Sequence, residues 1–154
     1  MTAGLGKIDI RELEKFRDEL LKLQDPHIFV EECVKELAAR LLAIVVDRTP
    51  VGEYPAGSGK TGGTLRRGWT GEKRTHAKGY ADTLKVSHIG DTYVIEIINP
   101  VEYASYVDYG HRTADLKRWV KGIFTMTIAA QEPEKMTPQI LESKIRKYFE
   151  RCMK

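Results

Sequence analysis

The sequence predicts an α+β fold in which a small antiparallel β-sheet packs against a long N-terminal helix and a C-terminal helix. Three observations lead there. Phe29, Cys33, Leu37, Leu41, Ile44 and Val45 recur at helical spacing. Thr83 to Ile89 alternates apolar with polar and is followed by Gly90-Asp91 and a β-branched run, Thr92 to Ile98. Ile140, Leu141, Ile145, Tyr148, Phe149 and Cys152 form a second apolar stripe near the end of the chain. At 154 residues the chain is expected to be one domain, with a long flexible loop at about 51–64 and a charged hairpin or linker at about 71–80.

In chain order, Asp9 and Glu12 have the spacing of a capping box, and Leu13, Phe16, Leu20 and Leu23 follow on one face, so a first helix is expected over about 10–23. Pro26 suits the first position of a second helix, which the Thr49-Pro50 pair stops. Val51 to Gly63 is rich in Gly and Pro and reads as a loop, after which Leu65 to Thr70 is read as the start of a strand. The hairpin Thr83–Ile98 follows, its second strand expected at the centre of the sheet because Ile97 and Ile98 are both apolar. Asn99 to Glu102 repeats the capping logic and opens a short helix with Tyr103, Tyr106 and Val107, closed by Gly110. His111 to Lys121 is polar around Trp119. A last helical region begins near Gly122, is kinked or interrupted at Pro133 and restarts at Thr137-Pro138.

Composition narrows the function. The chain is 42% hydrophobic and 31% charged, which is ordinary for a globular domain. Its longest apolar run, Leu41 to Val46, is too short to span a bilayer, and the first residues lack a secretory pattern, so no membrane association is expected. Cys33 and Cys152 read as small apolar fillers, and the four histidines show no ligand spacing, so neither a metal nor another cofactor is expected. Between Lys60 and Lys85 seven basic residues face two acidic ones, a surplus of +5 in a chain of net charge +3. With Trp69 and Tyr80 interleaved, that segment motivates a nucleic-acid-binding module as an alternative function.

Two stretches resemble catalytic or nucleotide-binding motifs. Tyr54 to Thr61, YPAGSGKT, ends like a phosphate loop, but Tyr54 stands where the first glycine is required, and the flanks lack the strand and helix that would aim backbone N–H groups at a phosphate. Asp108, His111 and Asp115 are close enough in sequence for a carboxylate to orient a histidine, yet no serine or cysteine stands in an activating motif. Non-enzymatic function is expected. Tyr103, Tyr106 and Tyr109, three apart, share one side of a helical turn, where they either pack on the sheet or form an interface.

Thr49-Pro-Val51, Thr61-Gly-Gly-Thr-Leu-Arg-Arg-Gly68 and Glu102-Tyr-Ala-Ser-Tyr-Val-Asp-Tyr-Gly-His-Arg-Thr113 together resemble the small neck or tail-completion proteins of long-tailed phages and related prophages, often called the gene-product-ten family of lambdoid phages. The order of motifs covers roughly residues 27–150. Two departures stand out: Gly52 to Lys60 lengthens the passage from Thr-Pro-Val to Thr-Gly, and Asp108 stands where glutamate is commoner. The resemblance implies a structural virion protein that joins head to tail as a ring-forming neck or tail-completion component. Its implied partners are further copies of itself in a homo-oligomeric ring, the adjacent head-adaptor and tail proteins, and DNA in the lumen. Its implied location is the neck or upper tail of the virion, and the host cytoplasm before assembly. Such proteins carry no catalytic residues. On this reading Tyr103, Tyr106, Tyr109 and Arg112, with Arg66, Arg67 and Trp69, are the expected interface residues, and residues 52–80 are expected to become ordered only in the assembled neck.

Overall fold

Helix α1, Pro26–Arg48, is the central element of the fold. The computed structural model describes Asp18, residues 26–71 and residues 76–152, so the helix expected over 10–23 lies outside the described residues apart from Asp18. Along α1 the buried positions are Cys33, Ala38, Leu42 and Val45, the inner side of the apolar stripe. Thr49 closes the helix with two bonds to the Val45 carbonyl, from its backbone N–H at 3.0 Å and from its hydroxyl at 2.6 Å, and Pro50 then disfavours a further helical turn.

Two short helices follow, α2 at Thr64–Gly68 and α3 at Ala77–Thr83. Then come a hairpin of β1, Val86–Ile89, and β2, Thr92–Ile95; helix α4, Ala104–Tyr109; a second hairpin of β3, Gly110–Arg112, and β4, Trp119–Lys121; and helix α5, Thr125–Cys152. Both hairpins are antiparallel, with Val86 opposite Ile95 and Ile89 opposite Thr92 in the first, and Gly110 opposite Lys121 in the second. The α+β class therefore holds, with sheets even smaller than expected and long helices at the two ends of the described chain.

The core is made where α1 meets α3 and α5. Ala38, Ala81 and Ala129 are each at most 3% exposed, and such small side chains let helix backbones approach closely. Leu42, Val45 and Trp69 fill the space around them. Burying a leucine such as Leu42 completely stabilises the fold by about 1.5–3 kcal/mol. From β2 onward Tyr93, Ile95 and Ile97 are half-buried while Val94, Glu96 and Ile98 are exposed, so the strand lays one face on α1.

Four expectations are corrected. Leu65 to Thr70 forms α2 and a turn in place of a strand, because Arg66 is drawn back onto the end of α1 and Trp69 into the core. Residues 77–80, expected in a hairpin or linker, begin α3, whose Ala81 is fully buried and whose Ala77 and Tyr80 pack against the core, so a charged sequence still carries apolar positions that matter. Within 52–80, α2 and α3 are therefore helical, and residues 52–61 are exposed throughout without helix or strand. β2 is one of two strands and not a central one, because residues 110–112 pair with 119–121 in place of joining it. Finally, α5 runs unbroken through Pro133 and Pro138. Proline removes one helical bond at each site, but Pro133 and Ile140 are buried on this helix and the Thr137 hydroxyl donates to the Pro133 carbonyl at 2.8 Å. Tertiary packing outweighs local propensity here.

Candidate interaction surface

The tyrosines of α4 are held by an elaborate backbone arrangement on the opposite side of that helix. Asn99 sets up the approach: its side-chain oxygen accepts from Val101 N–H at 3.1 Å and its Nδ2 donates to the Leu65 carbonyl at 2.9 Å. At the far end, Ile123 N–H donates to the Val107 carbonyl at 3.1 Å and Phe124 N–H to the Asp108 carbonyl at 2.9 Å, satisfying carbonyls that a helix end leaves open. The buried Asp108 carboxylate turns away from solvent and accepts from Met126 N–H at 3.3 Å, at the start of α5. This close fit demands glycine: a Cβ on Gly122 would lie 2.2 Å from the Asp108 carbonyl oxygen, and one on Gly110 would lie 2.5 Å from that of Val120.

With its back fixed in this way, α4 presents Tyr103, Tyr106 and Tyr109 at 45%, 58% and 60% exposure. Of the two readings of their spacing, packing against a sheet does not describe them. Tyr106 meets the His111 ring at 5.7 Å and Tyr109 meets Phe124 edge-on at 6.5 Å, contacts that steady the rings without covering them. Arg112 is also exposed, opposite Trp119 in the β3–β4 register. Trp119, Phe124 and Leu116 extend the exposed apolar surface. Sequence reasoning missed these three because residues 111–124 have neither helical nor alternating periodicity.

The remaining expected interface residues serve the fold. Trp69 is 8% exposed and its indole N–H donates to Thr49 Oγ1 at 2.9 Å. Arg66 caps α1 through Nε and Nη2, which donate to the Thr49 carbonyl at 3.0 and 2.7 Å, and through Nη2 to the Asp47 carbonyl at 3.3 Å. Arg67 is exposed but reaches back to the Gly62 carbonyl at 3.1 Å and the Thr64 hydroxyl at 3.3 Å. Glycine is again obligatory nearby: a Cβ on Gly62 would meet the Gly52 carbonyl oxygen at 2.1 Å, and one on Gly68 would meet Asn99 Oδ1 at 2.1 Å. The Thr-Pro-Val and Thr-Gly-Gly-Thr-Leu-Arg-Arg-Gly motifs are thus parts of one junction between α1, α2 and the segment before α4.

This geometry weakens the nucleic-acid alternative. Trp69 is buried, Tyr80 packs half-buried against the core, Arg66 is committed to α1, and Lys78 pairs with Asp82 at 3.4 Å; Lys73 and Arg74 lie outside the described residues. Nor do Asp108, His111 and Asp115 assemble. Asp108 faces α5, His111 faces the Tyr106 carbonyl at 3.4 Å, and Asp115 bonds to Thr113 and to Lys117 N–H. The Thr113 hydroxyl and the Lys117 amide hold the Asp115 carboxyl below its ordinary pKa. Around YPAGSGKT, α2 starts only at Thr64, and Lys60 Nζ sits 5.8 Å from the Tyr54 ring within the same loop. Among the described residues no group of three or more His, Cys, Asp or Glu is placed to hold a metal ion, and no helix is long and apolar enough to cross a membrane.

Residues 11–110 match the family model described as "Bacteriophage HK97-gp10, putative tail-component". The match spans α1 to the end of α4 and so includes the tyrosines and the junction at Thr49, whereas the β3–β4 loop and α5 lie beyond it. Comparison with curated proteins and with solved structures returned no match.

Proposed function

Because this chain belongs to the HK97-gp10-like family of bacteriophage tail components, we propose that its structural role in the virion is to join head to tail, as a single-domain subunit of a ring at the neck or upper tail. The observation that carries the reading is the α4 face. Three tyrosines stand exposed on a helix whose opposite side is locked by Asp108, Gly110 and Gly122. Tyrosine supplies large contact area with a polar handle, and a rigid support keeps the ordering cost of association low.

In this role the tyrosine face, with Arg112, meets an adjacent head-adaptor or tail protein, and the exposed loop 51–61 reaches toward the next ring. Family membership supports a non-enzymatic component, and no catalytic residue enters the mechanism. Any contact with lumenal DNA would run through exposed cations such as Lys60 and Lys85, without base stacking by Trp69.

Deleting the gene from the phage or inducible prophage that carries it, and viewing the particles by electron microscopy, tests the reading. Full heads and finished tails lying apart, joined again by added purified protein, are the expected result. Normally joined particles would overturn it.

A further inference from the structure

The β3–β4 loop holds an unusual leucine. Leu116 has φ 58°, a left-handed conformation that a branched side chain adopts only when its surroundings impose it, and it is 68% exposed. What imposes it is a closed set of bonds. Thr113 N–H donates to the Arg118 carbonyl at 2.9 Å, Leu116 N–H to the Thr113 carbonyl at 2.8 Å, Lys117 N–H to Asp115 Oδ1 at 3.2 Å, and Arg118 N–H to Thr113 Oγ1 at 3.2 Å. The loop is thus built to display an apolar side chain next to two cations. Residues 110–121 carry four Lys or Arg against one Asp, and that aspartate is occupied inside the loop.

Elsewhere on the chain lies a groove of the opposite character. Leu37 and Leu41 of α1, Ile95 of β2, and Met126, Ala130 and Glu134 of α5 line a cavity of about 580 Å³ with mainly apolar walls. Glu134 is its one charged lining residue, is exposed, and among the described residues has no ion-pair partner. Leu116 of the same chain is not among the lining residues.

We propose that the Leu116 tip of one subunit seats in the groove of the next copy of this chain, with Lys117 and Arg118 against Glu134. The apolar knob and apolar groove match in character, and their rims match in charge, which favours this pairing and penalises others. Knob and groove are different surfaces of one molecule, so the contact is heterologous, and repetition with the right rotation closes a ring. The inference rests on the ring reading above but concerns the β3–β4 tip, which lies beyond the family match.

A photo-reactive amino acid at position 116 of the full chain tests it, with cross-links mapped by mass spectrometry both in virions and in the purified protein. The expected product is a dimer of this chain linked from 116 to residues 34–41 or 126–137. Lys117→Glu/Arg118→Glu should lower its yield about ten-fold or more, and adding Glu134→Lys in the partner copy should restore it. Cross-links to a different virion protein, to residues 10–23, or to no protein at all would overturn the pairing, as would a charge reversal without effect. The first of these results would leave the virion role intact, whereas absence of the chain from virions would sink that role and leave the purified protein to decide the pairing.

Discussion

The indole N–H of Trp69 donates to Thr49 Oγ1 at 2.9 Å, and the same hydroxyl donates to the Val45 carbonyl at 2.6 Å. Thr49 is 1% exposed, so one buried hydroxyl ties the last turn of α1 to the turn after α2. Trp69→Phe removes a single donor and leaves the Thr49–Val45 bond intact, so the expected cost is about 1 kcal/mol with some loss of packing. Trp69→Ala also empties core space and should cost about 3–5 kcal/mol. Urea denaturation of both variants checks the difference, and equal losses would mean that the hydrogen bond, not the bulk of the ring, matters at this position.

Arg66 and Arg67 are adjacent in sequence but differ in burial and role. Arg66→Ala leaves the Thr49 carbonyl without its two charged donors and should cost about 1.5–3 kcal/mol. Arg66→Lys should recover little, since an ammonium cannot reproduce the planar fork that spans the Thr49 and Asp47 carbonyls. Arg67→Ala, which loses only exposed contacts to Gly62 and Thr64, should stay within about 0.5 kcal/mol. Thermal unfolding of the three variants would expose an error if Arg67→Ala proved the most damaging.

What the sequence conveyed here depended on whether local signals and tertiary contacts agreed. Pro26, the α1 stripe and Thr49-Pro50 agree with the packing, and so do Gly90-Asp91 and Gly110, which has φ 89°. Leu65 to Thr70 reads as a strand yet folds as α2 and a turn, because this helix is specified by a distant event, the return of Arg66 to α1, and by no periodicity of its own. Pro133 and Pro138 were overread, since a propensity measured on isolated helices says nothing about Pro133 and Ile140 being buried. At the candidate site the tyrosine spacing was legible, but Trp69, which looked like an interface aromatic, is core. No local pattern distinguishes an indole whose N–H meets a buried threonine from one that faces a partner.

The exposed tyrosines should separate function from stability. Tyr106→Ser and Tyr109→Ser remove side chains that are 58% and 60% exposed, so each should change folding stability by no more than about 0.5 kcal/mol. If α4 is a contact surface, the double variant should nevertheless fail to rescue head–tail joining in particles lacking the wild-type gene. Asp108→Asn is the contrasting control: it keeps the shape but weakens the acceptor at the start of α5, and should reduce stability first. A folded double variant that joins particles as well as wild type would remove α4 from the mechanism.

Cys33 gives a chemical report on the core. It is 3% exposed on the inner face of α1, and burial pushes its thiol pKa up, reinforced by Glu32 and Glu36 and opposed by Lys144. The thiolate is the reactive form, so alkylation of Cys33 by iodoacetamide at pH 8 should be slow in the native protein and accelerate sharply on unfolding in urea. The sign of the pH dependence follows from the raised pKa. The neutral thiol is favoured in the folded state, so its contribution to stability is fully present below the ordinary thiol pKa of 9.0 and is lost as pH rises through the raised folded value. Urea midpoints measured from pH 7 to pH 10 should therefore fall more in the wild type than in Cys33→Ala. Equal declines, or rapid native alkylation, would show that α1 opens at Cys33 far more readily than its packing against α5 implies.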